Sequence, residues 1–191
     1  MRYFKVDTLG DSSNNKLAII DKPPEGTGSF SYCFTEGESA VNMYPANPKT
    51  RLNDYPGFKL SSLLGNVLGF FTAETLMKNS IEKAQTGDIE FFPFTILDHK
   101  GNVLSSEYWI INPLGSFDVL DTDNSKVKRG RRTNEIVGVR EFAFHGEKLV
   151  EAPDIFRIPE DLSYIFVSEV IASLWAESAC TNVYLKEVVV T

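Results

Sequence analysis

Three carboxylates crowd into six residues at Asp118, Asp121 and Asp123, and five cations follow within seven, at Lys126, Lys128, Arg129, Arg131 and Arg132. Clustered carboxylate oxygens are what Ca²⁺ or Mg²⁺ requires. The spacing lacks, however, the alternating acids, central Gly and distal bidentate Glu of a calcium loop. Two other uses of the same groups fit better. Asp side chains accept backbone N–H bonds and fix a turn, or they meet basic groups on a partner. The basic run reads either as a solvated, mobile loop partly neutralised by its acidic neighbours or as a partner-binding loop. No aromatic residue interleaves with it, so base stacking has no platform.

Nucleophilic chemistry has less to stand on. Cys33 and His145 are one formal nucleophile and base, but nothing around Cys33 would lower a thiol pKa. His99 and His145 both fall in predicted hairpin turns beside a Gly and are expected to be exposed. Neither a Gly-x-Ser-x-Gly elbow nor a phosphate-cradling Gly-rich loop occurs. Cys33 and Cys180 are not at metal-ligand spacing and read as two free thiols in or near the core. Trp109 and Trp175 read as core or lobe-seam aromatics. No cofactor is implied.

The elements that must position these groups are legible in outline. A chain of 191 residues with 42% hydrophobic composition buries one good core or two small lobes sharing a seam. The 14 Phe argue against disorder. A net charge of -7 disfavours nonspecific nucleic-acid binding, which needs an excess of Lys and Arg. No apolar run approaches the roughly 20 residues of a membrane span, and the charged start Met1 to Asp7 is unlike a signal peptide. Residence in the cytoplasm, without a membrane, is the expectation.

Strands are predicted at Tyr3 to Val6 and Lys16 to Ile20. Residues 36–58, punctuated by Pro45, Pro48, Pro56, Gly37 and Gly57, read as mostly irregular. Leu60 to Leu68 reads as a buried strand or a turn of helix. Thr72 is predicted to cap a helix with Leu76, Ile81 and Ala84 on one stripe, Glu74 in its first turn and Gly87 closing it. Asp88 to Leu97 is a strand whose Pro93 suits an edge or bulge, and it turns at Asp98 to Asn102 into Val103 to Ile111. Further strands are expected at Ile155 to Ile158, Leu162 to Val167 and Val183 to Val190. Ser168 caps a helix over Glu169 to Ser178, with Glu169 placed well for the macrodipole. The strand-helix-strand pattern thus occurs twice, 17 residues from Thr72 to Ile89 and 15 from Ser168 to Val183. It reads as an internal duplication or as two ordinary capped helices.

Several of these segments carry a family likeness. A strand ending in Asn112 leads to Asp118, Asp121 and Ser125; later come Phe156-Arg157, Phe166-Val167-Ser168-Glu169 and a closing strand Val183 to Val190, with the aromatic strand Phe91-Phe92-Pro93 before them. Residues 58 to 191 resemble in this way the eleventh immunity-protein family of bacterial polymorphic toxin systems. The family's helix-to-strand connection usually carries a Gly; here it reads Ala179-Cys180-Thr181-Asn182, leaving Asn182 to serve as a left-handed cap. The resemblance implies a small α+β protein that binds and neutralises a cognate protein toxin without catalysis.

The resulting expectation is one α+β domain over residues 1–191, with a mixed, mainly antiparallel sheet and at least two packed helices; two related lobes, 1–98 and 99–191, stay open. Its function is that of a noncatalytic immunity protein. The candidate partner-binding residues are Asn112, Asp118, Asp121, Asp123, Ser125, Lys128, Arg129, Arg131 and Arg132. The alternatives are a small-molecule or metal-dependent enzyme and a self-assembling structural module. The oligomeric state is not legible.

Overall fold

The computed structural model describes residues 1–53, 57–84 and 87–191; Pro56, among the expected loop-formers, lies outside them. In chain order the elements are β1 (Tyr3–Val6), β2 (Ile19–Ile20), α1 (Cys33–Glu36), β3 (Lys49–Arg51), β4 (Gly65–Asn66), β5 (Thr72–Glu74), α2 (Thr75–Ala84), β6 (Ile89–Leu97) and β7 (Val103–Pro113). The second half follows with β8 (Lys126–Arg129), β9 (Ile136–Glu141), β10 (Ala143–Phe144), β11 (Ile155–Ile158), β12 (Asp161–Ser168), α3 (Glu169–Glu177), β13 (Leu185–Glu187) and β14 (Val189–Val190). Two four-stranded sheets dominate, ordered β3-β6-β7-β5 and β11-β12-β1-β13, and short pairs β2-β4, β8-β9 and β10-β14 complete an α+β fold.

Alternation along the strands sends side chains to opposite faces, and the cores follow it. In the first sheet Phe92, Phe94, Ile96, Tyr108 and Ile110 face a core closed by Phe30, Phe34 and Phe70. The intervening Phe91, Trp109 and Ile111 face a central core. In the second sheet Val6, Ile155, Ile165 and Val167 face that same central core, while Tyr3, Phe156, Ile158 and Phe166 pack on Val119, Leu120 and Phe144. Helices α2 and α3 bring Met77, Ile81, Ile171 and Trp175 into the central core. Trp175 is buried in that core and meets Phe71 edge-on at 5.8 Å, while Trp109 packs against it partly buried.

The repeated pattern has a geometric counterpart. Strands β5 and β6 both run antiparallel to β7 between them, and β12 and β13 both run antiparallel to β1. Each helix therefore joins two parallel strands separated by an antiparallel one, a split strand-helix-strand unit. The 98/99 boundary falls in the turn from β6 to β7, and each half lends a strand to the other's sheet, β1 to the second and β7 to the first.

Local details depart from the sequence reading. Thr72 is a strand residue, its hydroxyl donating to Leu64 O at 2.6 Å, and Glu74 closes that strand instead of opening the helix. The buried stripe of α2 is Met77, Ser80 and Ile81, with Ala84 packed against the same core; of the expected stripe only Leu76 is exposed. Gly87 has φ +140°. Ser168 caps α3 as predicted, accepting from Val170 N at 3.2 Å. The left-handed residue that ends α3 is Ala179 (φ +53°): Cys180 N donates to Trp175 O and Ala179 N to Ala176 O, the two bonds of a Schellman motif. Asn182 is also left-handed (φ +60°) but works as a bolt, accepting from Asp11 N at 2.7 Å and donating to Leu63 O at 2.9 Å. Pro93 lies on the stretch of β6 that precedes its pairing with β3 at Thr95, so its missing N–H costs no ladder bond on that side. The predicted closing strand breaks at Val188 into β13 and β14, which join different sheets.

Candidate partner-binding surface

The candidate segment begins where β7 ends. Asn112 is buried; its amide donates to Glu38 O at 2.8 Å and its carbonyl accepts from Arg157 Nη2 at 3.3 Å. Arg157 is fully buried. Its Nε donates to Pro113 O at 3.0 Å, Nη1 to Thr35 O at 3.0 Å and to Leu162 O, and Nη2 also to Phe34 O at 2.9 Å. All five guanidinium donors are thereby used, and every acceptor is neutral. Burial pushes the Arg157 pKa down to about 10. The group clamps the end of α1 and the end of β7 to β11 and the start of β12. Gly37 (φ +67°) lets the chains approach, since a Cβ there would meet Pro113 O and the Arg157 side chain at 3.0 Å.

Beyond Gly115 the chain passes Phe117, whose N–H donates to Arg157 O at 2.8 Å, and reaches the acidic cluster. Its members part company. Asp118 is exposed and pairs with Lys148 at 3.0 Å. Asp121 is buried and acts as a hub: its carboxylate accepts from Asp123 N at 3.0 Å, Asn124 N at 3.1 Å, Asn124 Nδ2 at 2.7 Å and Thr191 Oγ1 at 2.8 Å. Hydrogen bonds from the Asn124 and Thr191 side chains hold its pKa down to about 2. Ser125 Oγ accepts from Ala143 N at 2.9 Å and donates to Ala143 O at 3.2 Å, closing the segment onto β10. Asp123 is exposed. Among the described residues no three His, Cys, Asp or Glu gather as a metal would require.

The basic run is a hairpin, not a mobile loop. β8 and β9 pair antiparallel from Lys126↔Glu141 to Arg129↔Ile136, because Val127, Ile136 and Val139 supply an inward face that packs on the third core. Lys126 pairs with Glu141 at 2.7 Å, and Arg129 Nη1 donates to Asn134 O at 3.0 Å. Lys128, Arg129, Arg131 and Arg132 are exposed, the last two in the connecting turn. Residues 126–141 carry six cations against two acids, a net +4 in a chain of -7, which leaves -11 for the rest.

The histidines are both half-buried instead of exposed. His145 Nδ1 lies 3.7 Å from Asp121 Oδ2, and His99 meets Phe58 edge-on at 4.6 Å. Cys33 belongs to the first core, where burial raises its thiol pKa; it is not brought to His145. Sequence reasoning left out Arg157, Lys148 and Thr191 as parts of this region. For Arg157 the signal was present: a lone cation between Phe156 and Ile158 in a strand with no polar alternation.

These residues define a small α+β protein in which buried polar bolts hold an exposed, strongly charged surface. The chain belongs to the immunity protein family Imm11, whose model matches residues 6–190. No curated protein matches the chain. Among the described residues no helix is long and apolar enough to cross a membrane.

Proposed function

We propose that this chain is a noncatalytic immunity protein that neutralises a cognate bacterial toxin by binding it in the cytoplasm. The observation that carries the reading is membership of the immunity family over residues 6–190. The partner-facing groups are Asp118, Asp123, Lys128, Arg129, Arg131 and Arg132, all exposed. Asn112, Asp121 and Ser125 serve the same surface from beneath, by fixing the backbone that presents it. Free Cys33 and Cys180 suit a reducing compartment. The separation of a +4 hairpin from a -11 body suits fast, salt-sensitive association with a partner of complementary polarity.

The test is growth rescue. The tagged chain is captured from its host, a stoichiometric larger partner is identified by mass spectrometry, and that partner's toxic terminal domain is expressed with and without this chain. Rescue by the wild type, lost with Arg131→Glu/Arg132→Glu while the melting temperature stays the same, is the expected result. Capture of the bait alone, or no rescue by the wild type, overturns the reading.

A further inference from the structure

The β8–β9 hairpin owes its outer face to two irregularities. Lys126 faces Glu141, Val127 faces Val139, Lys128 faces Gly138 and Arg129 faces Ile136, so β9 carries one extra residue at Arg140 and another at Val137. Val127, Ile136 and Val139 pack on the third core, and alternation sends Lys128 and Gly138 to the opposite face. The two extra residues break the alternation, as bulges do, and both are exposed, Val137 by 57% and Arg140 with it. Gly138 lies between them and covers nothing: a Cβ there would meet no atom within 4 Å.

The cations of this hairpin are poorly matched inside the chain. Lys128, Arg131, Arg132 and Arg140 are exposed, and among the described residues no carboxylate pairs with any of them. The hairpin's own acids are Glu135 and Glu141, and Glu141 is held by Lys126 at 2.7 Å. The positive face is also small. β8 has four residues, about 14 Å of strand, and the rest of the chain carries -11. A nucleic acid or an anionic membrane would run from the hairpin onto like charge within about a Debye length of 8 Å, and no aromatic residue offers a base a platform. A compact group of carboxylates meets the cations without that cost.

We infer that the outer face of this hairpin receives an acidic patch of the toxin. Carboxylates seat over Gly138 between Lys128 and Arg140 and against Arg131 and Arg132 in the turn, where the guanidinium fork suits them, and an apolar neighbour contacts Val137. The inference rests on the immunity reading for the identity of the partner and deepens it: the toxin is met at an acidic face, not at a basic, phosphate-binding cleft.

The probe is acetyl-Asp-Leu-Glu-Asp-amide, titrated into the labelled full chain at physiological ionic strength and followed by amide chemical shifts. Shifts should concentrate at Lys128, Val137, Gly138 and Arg140. Lys128→Gln/Arg140→Gln should weaken binding roughly fivefold, and Lys128→Glu/Arg140→Glu should abolish it, with the melting temperature unchanged. Tetrathymidylate, of the same net charge as the peptide, should bind more weakly, and vesicles of phosphatidylserine and phosphatidylcholine not at all. No shifts at millimolar peptide, indifference to the double variants, tetrathymidylate binding as tightly as the peptide, or binding to the vesicles overturns the inference. So does self-association of the chain alone that Lys128→Glu/Arg140→Glu abolishes, which would seat a second copy's acidic body on the hairpin. A captured toxin that binds Lys128→Gln/Arg140→Gln as tightly as the wild type sinks the inference and leaves the immunity reading standing, whereas failure of the wild type to rescue growth bears on that reading alone.

Discussion

Replacing Arg157 by Lys keeps the charge and removes two donors. The guanidinium serves five neutral acceptors, Pro113 O, Thr35 O, Leu162 O, Phe34 O and Asn112 Oδ1, at a site with no solvent exposure. An ammonium has three donors, so at least two buried acceptors lose their partner and the charge is left less well solvated. Hydrogen bonds to charged groups are each worth about 1.5–3 kcal/mol, which puts the loss at about 3 kcal/mol or more. Arg157→Met removes all five bonds together with the cost of burying the charge, which the lowered pKa registers. Its loss should be of similar size, about 3–5 kcal/mol, because five carbonyl groups are stranded in exchange. Either figure is a large part of the roughly 5–15 kcal/mol that holds a domain together. Urea unfolding followed by fluorescence would show the midpoint falling with the slope unchanged. A loss below about 1 kcal/mol for Arg157→Lys would refute the claim that this clamp joins the two sheets.

Three other outcomes follow from the same contacts. The Asp121 carboxyl titrates at about 2 in the folded chain, below its ordinary 3.8. A depressed folded pKa gives stability that is present above the unfolded value and lost as pH falls towards the folded one, so acid unfolding between about pH 4 and 2 should be less steep in Asp121→Asn, measured by circular dichroism. Ala179→Gly relieves a left-handed alanine at the end of α3 and should raise stability by about 1 kcal/mol in the same urea assay. Asp118→Lys/Asp123→Lys acts on exposed groups, so the melting temperature should hold while affinity for the captured toxin falls at least about tenfold by calorimetry.

The sequence by itself determined the α+β class, the β6–β7 hairpin, the Ser168 cap and the family, because each rests on short-range pattern: alternation, cap chemistry, turn residues. It also marked out 112–132 as the unusual stretch. What it left open is which of those residues face outward. Asp118 and Asp121 are three residues apart and chemically identical, yet one is exposed and the other is a buried hub. The difference is made by Thr191, seventy residues away, and by β10, whose Ala143 accepts from Asp121 N and donates to Ser125 Oγ. The basic run became a hairpin because Val127 and Val139 find a core to face, and Arg157 became a clamp because two distant segments, 34–35 and 112–113, aim carbonyls at the same point as its neighbour Leu162. Side-chain identity sets what a group can bond; which partners come within 3 Å depends on long-range packing, and only the tertiary structure decides that.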